Sequence, residues 1–121
     1  MTDSFLSRNL DSLKKVDIAL FNKIVSLKGS TEYVVTRSKS GPPTLSYMDS
    51  RGKKKQIHSN YDPVLEATRY LKTLNIEESL NFLVIGLGLG YQVFEIIKSA
   101  TSQTKIYIFE KFIYNMKEWI Y

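Results

Sequence analysis

"NFLVIGLGLGYQ", from Asn81 to Gln92, is the stretch that decides how this chain folds. An apolar run ends at Ile85, glycines occupy alternate positions 86, 88 and 90, and the helix-patterned "YQVFEIIKSA" follows. The whole chain has 6 glycines, so half of them sit in this short turn. Glycine loses the most freedom on ordering, and such clustering implies torsions or close approaches that a Cβ forbids. The pattern predicts a strand over 81–86, a glycine loop, and a helix over 91–100. A second strand, "KIYIF" at 105–109, comes next. A helix carries the chain back between the two strands, so they are expected to run parallel. A terminal helix is expected from about residue 111.

Ligands of open parallel sheets settle beyond the carboxyl ends of the strands. Here that edge holds Gly86, Gly88, Gly90, Tyr91 and Glu110, which are the candidate ligand-contact residues. A helix starting near Tyr91 turns free N–H groups toward an anion. Glu110 follows Gly86 at close to the spacing of roughly 20 residues at which dinucleotide folds place a ribose-gripping acid. The pattern is G-x-G-x-G, and Tyr91 stands where the dinucleotide fingerprint needs its third glycine. No Walker lysine follows. The competing reading is purely architectural: the glycines let a helix pack tightly on the sheet, and Glu110 is a helix-start acid.

Upstream, residues 3–28 carry apolar side chains at spacings of three and four, from Phe5 and Leu6 through Leu13, Leu20 and Ile24 to Leu27. Thr2 or Asp3 suits the cap of this helical segment, Gly29 its end, and Asp17 a break into two helices. Residues 31–58 are β-prone and punctuated by "SKSGPP" and "SRGK", which reads as an antiparallel meander of two or three strands. The basic knot "RGKKK", Arg51–Lys55, reads as a solvated hairpin that guards an edge, with an anion or nucleic-acid contact as the sharper but weaker alternative. In "HSNYDPVLEATRYLKTL", Asn60 or Asp62 can cap a helix, Pro63 suits its first turn, and Glu66 faces its free N–H groups. Val64, Leu65, Thr68, Leu71 and Leu74 are its expected buried side. His58, the one histidine, reads as a hydrogen-bonding residue at a strand end. The fold class is therefore α/β: N-terminal helices, a small antiparallel meander, then a Rossmann-like strand–helix–strand unit.

At 121 residues the chain has a one-domain length, divided as 1–29, 30–60 and 61–121. Hydrophobic content of 43% with 24% charge is ordinary globular composition. There is no cysteine, which excludes disulfides and thiolate metal sites. The start, "MTDSFLSRNL", lacks a signal-peptide pattern, and no apolar run reaches the roughly 20 residues of a membrane span. A cytoplasmic location is the expectation. A net charge of +5 spread over 17 basic and 12 acidic residues gives nucleic acid little to hold. No acid–base pair, nucleophile constellation or metal set stands out, and no cofactor is named by the residues.

Two segments together, "IHSNYDPVLEA" and "LVIGLGLGYQ", resemble the N-terminal domain of motility accessory factor proteins. These are bacterial flagellin glycosyltransferases that use activated nonulosonic sugars. The resemblance runs from the first helical segment to "IYIFEK". It implies a non-catalytic module, with sugar transfer assigned to a downstream domain and flagellin as acceptor. It carries Gly86, Gly88, Gly90, Tyr91 and Glu110 over as contacts of a vestigial nucleotide-type site. The alternative is a small nucleotide- or S-adenosylmethionine-binding enzyme fragment, because the loop is also similar to that of methyltransferases. Those carry an acid two residues before the first glycine, where this chain has Val84. The apolar ending "FIYNMKEWIY" leads us to expect the N-terminal part of a longer protein, burial against the helical start, or self-association.

Overall fold

The computed structural model describes residues 3–28 and 32–111. Helices α1 (Asp3–Val16) and α2 (Ile18–Val25) open the chain. Asp17 separates them, its carboxylate accepting from Leu20 N–H at 2.9 Å as the cap of α2. The helical run ends at Val25 with Ser26 as C-cap, earlier than the expected 28, because the next N–H, that of Leu27, turns back three residues to Ile24 C=O and not four. Gly29, Thr2 and the Phe5 and Leu6 side chains lie outside the described part. Of the apolar stripe, Ile24 is buried and Val16 is exposed.

The meander is β1 (Tyr33–Arg37), β2 (Pro43–Met48) and β3 (Lys54–Gln56), antiparallel in the order β1-β2-β3. Its central strand buries Thr44, Leu45 and Ser46. Asp49 closes the β2–β3 turn by accepting from the N–H of Arg51 and Lys53. Lys54 and Lys55 belong to β3 itself, an outer strand exposed throughout.

Helix α3 (Pro63–Lys72) starts at Asp62, whose carboxylate accepts from Leu65 N–H at 2.9 Å. Its buried side is Pro63, Ala67 and Leu71; of the expected stripe Leu71 is buried and Thr68 half-buried, while Val64, Leu65 and Leu74 are exposed. The helix packs on α4 (Tyr91–Lys98), and its small Ala67 is fully buried. A 3₁₀ turn over Ile76–Glu78 leads to β4 (Asn81–Ile85).

Strand β5 (Lys105–Phe109) pairs with β4 in parallel, register Leu83↔Tyr107 and Ile85↔Phe109. Gly86 N–H donates to Phe109 C=O at 2.9 Å, and Lys105 N–H to Leu80 C=O at 2.7 Å. The crossover expected from the sequence is thus in place: strand, glycine loop, helix, parallel strand. On this pair Leu83, Ile85, Tyr107 and Phe109 remain exposed, while Val93 and Ile96 of α4 are buried. The chain is a mixed α/β fold with no helix, among the described residues, long and apolar enough to cross a membrane.

Candidate functional site

The glycine loop turns inward. Leu87 and Leu89, between the glycines, are buried, and each fully buried leucine contributes about 1.5–3 kcal/mol. Positive φ angles at Gly86 (+82°), Gly88 (+55°) and Gly90 (+78°) make that turn, with Gly90 as the N-cap of α4. Two of the loop's N–H groups are then taken up by side chains of the protein itself. Leu87 N–H donates to Glu110 Oε2 at 2.8 Å, and Leu89 N–H donates to His58 Nε2 at 2.8 Å.

His58 is the residue that sequence reading undervalued. Strand β2 places it, since Ile57 and His58 N–H both turn to Leu45 C=O and the buried Thr44 hydroxyl donates to His58 C=O at 2.9 Å. The residue is 4% exposed, and its ring meets the Tyr91 ring edge-on, centroids 5.2 Å apart. Because Nε2 accepts, the neutral ring carries its proton on Nδ1, which has no hydrogen-bond partner among the described residues. Burial holds its pKa below the ordinary histidine value, opposed in part by the Glu66 carboxylate. Glu66 in turn accepts from Ser59 N–H at 2.8 Å, and Ser59 Oγ accepts from the N–H of Tyr61 and Asp62. "HSNYDPVLE" is therefore one self-capped turn that presents the imidazole to the loop.

A Cβ at Gly88 would stand 2.8 Å from His58 Cε1. The close approach that this glycine permits is made by His58, leaving no room there for a ligand. At Gly86 nothing lies within 4 Å of the same construction. That side opens on a cleft of about 1500 Å³ that runs from Tyr33 and Tyr47 past Tyr70 and Leu71 to Gly86 and Glu110. The five candidate residues therefore divide. Gly86, Glu110 and the buried Gly88 line the cleft, Gly90 is buried outside its lining, and Tyr91 donates its hydroxyl to Pro43 C=O at 2.6 Å. Burial raises the Tyr91 pKa, with a further push from Asp62. Tyr33 is raised by burial first and then by the nearby Glu110 and Glu32 carboxylates.

Among the described residues no group of three or more histidine, cysteine or acidic side chains is arranged to hold a metal. Glu110 is a loop holder by its geometry. Glu110→Ala is expected to cost about 1 kcal/mol by freeing Leu87 N–H, with Glu110→Gln recovering most of it. Urea titration of the two variants checks this; a neutral Glu110→Ala would remove the holder role. The only signal for the His58 contact in the sequence was a lone histidine beside "YDP" ahead of a glycine loop. Comparison of the chain with models of known families, with curated proteins and with solved structures finds no match.

Proposed function

We propose that this chain is a non-catalytic module of a motility-accessory-type protein glycosyltransferase, serving flagellin glycosylation in the cytoplasm. One observation supports it above the others. The two segments that carry the resemblance meet in space: His58 of the first accepts from Leu89 of the second, and its ring rests on Tyr91. The shared residue types thus have a common physical purpose, the locking of a strand-to-helix turn. With Leu87 and Leu89 N–H both satisfied internally, the turn is a scaffold, and any nucleotide-type site at it is vestigial.

The test has two arms. Incubated with a CMP-linked nonulosonic sugar and unmodified flagellin, this chain alone is expected to give no turnover. Deleting its coding segment in the host is expected to lower the intact mass of flagellin by whole sugar units. Turnover by the chain alone, or unchanged flagellin mass, overturns the reading.

A second reading, a small nucleotide- or S-adenosylmethionine-binding enzyme fragment, draws on the cleft that Gly86 and Glu110 line. Calorimetric titration with S-adenosylmethionine and CMP separates the two. Micromolar binding that Gly86→Val abolishes favours the enzyme fragment.

A further inference from the structure

The net charge of the chain is not spread evenly over its fold. From Glu32 to Tyr61, the meander and the turn after it, six basic residues stand against two acids, which gives +4 of the chain's +5. Of the 17 basic and 12 acidic residues, the remaining 11 and 10 nearly cancel. Both acids of the meander are engaged. Asp49 accepts from the N–H of Arg51 and Lys53 and pairs with Lys55 at 3.8 Å. Glu32 lies beside Tyr33 in the cleft. Just beyond the meander, Asp62 and Glu66 turn their carboxylates to Leu65 and Ser59 N–H. The side chains of Arg37, Arg51, Lys53 and Lys54 are exposed and have no acidic partner among the described residues.

These cations stand at the two ends of the sheet. The register pairs Arg37 with Pro43 at one end and Lys54 with Met48 at the other, about 17 Å apart along β2. Side chains alternate along a strand, so Arg37 falls on the face of Tyr33 and Tyr47, and Lys54 falls on the opposite face with Met48. The outer strand β3, exposed throughout, leads from the Arg51–Lys54 turn toward Tyr61. Tyr61 is 67% exposed, and Lys39 Nζ lies 5.4 Å from its ring centroid. Lys39 is anchored there by its own N–H, which donates to Asn60 C=O at 2.9 Å.

A flat bilayer meets one face of a sheet, so cations on opposite faces cannot reach it together. A flexible chain of anions can pass round the outer edge and meet both. An open aromatic ring offers nothing to a run of carboxylates, whereas an unpaired base stacks on it. We propose that the outer edge of the meander binds single-stranded nucleic acid without sequence preference. Arg51, Lys53 and Lys54 take phosphates at one end, Arg37 and Lys39 take them at the other, and a base stacks on Tyr61. The overall count of bases against acids understates this surface, because ten of the twelve acids lie outside the meander. The inference is independent of the glycosyltransferase reading, since it rests on the meander and not on the glycine loop.

Anisotropy of a fluorescein-labelled oligo(dT) of about 12 nucleotides, between about 50 and 200 mM salt, tests it. Four unpaired cations predict a slope of log K against log salt of about −3. The triple variant Arg51→Gln, Lys53→Gln, Lys54→Gln should bind at least about tenfold more weakly and lose about 2 of that slope. Its turn should hold, since Asp49 grips backbone N–H groups and not these side chains. A control triple, Lys15→Gln, Lys23→Gln, Lys72→Gln, removes the same charge from exposed helix positions and should stay within about twofold of the parent. Tyr61→Ala should weaken binding about tenfold, and Tyr61→Phe should keep it. No saturable binding at the lower salt overturns the proposal, as do equal losses in the two triples or an unaffected Tyr61→Ala. Anionic vesicles or polyglutamate bound as tightly at equal total charge would assign the patch to a membrane or an acidic protein, and would sink it too.

Discussion

Gly88→Ala is expected to destabilise the fold by about 3 kcal/mol, and Gly86→Ala by only about 1 kcal/mol. Both positions have left-handed torsions, which cost a residue with a Cβ about 1–2 kcal/mol. At Gly86 that is the whole penalty, because the new methyl group meets nothing within 4 Å. At Gly88 it drives into the His58 ring. The residue is 4% exposed and its ring is braced by Tyr91, so it cannot yield without giving up Leu89 N–H. Leaving a buried donor unpaired adds about 1–3 kcal/mol. Urea midpoints by circular dichroism give both numbers. Equal losses at the two positions would remove His58 from the account of the loop.

Acid is expected to find the same contact. In the unfolded chain His58 takes a proton near its ordinary pKa of about 6.5, whereas burial keeps the folded value lower. The folded state therefore binds fewer protons through that interval. Stability is full above the unfolded pKa, declines as the pH falls toward the folded pKa, and levels off below it. The steepest possible loss is about 1.4 kcal/mol per pH unit. The structural reason is direct, since a protonated Nε2 cannot accept from Leu89 N–H. Facing groups are Glu66, which opposes the shift, and the Tyr91 ring on the other side. His58 is the only histidine, so its replacement should flatten the profile between pH 7 and 5. Urea midpoints at pH 7.5, 6.5 and 5.5 for the parent and for His58→Gln measure this. A slope shared by both proteins would show that another group is responsible.

Periodicity and turn chemistry made most of the architecture readable. The meander, the Asp17 break, the Asp62 cap and the parallel β4–α4–β5 unit all follow from local rules. What stayed hidden depends on neighbours distant in sequence. The buried side of α3 is set by where α4 lies, so the large Leu65 faces out while Ala67 faces in. The alternate glycines suggested an open cradle, yet the histidine that fills the gap at Gly88 lies 30 residues upstream. Glu110 was legible as a strand-end acid, but its partner, Leu87 N–H, shows only once the parallel register is known.

One consequence concerns the order of assembly. The bonds that lock the loop span 31 positions back to His58 and 23 forward to Glu110. Bringing such remote parts together spends chain entropy before any contact repays it, which delays them relative to helices and hairpins. The bend that reads as the most local event in the chain is thus expected to set late, after the meander and the last strand have docked.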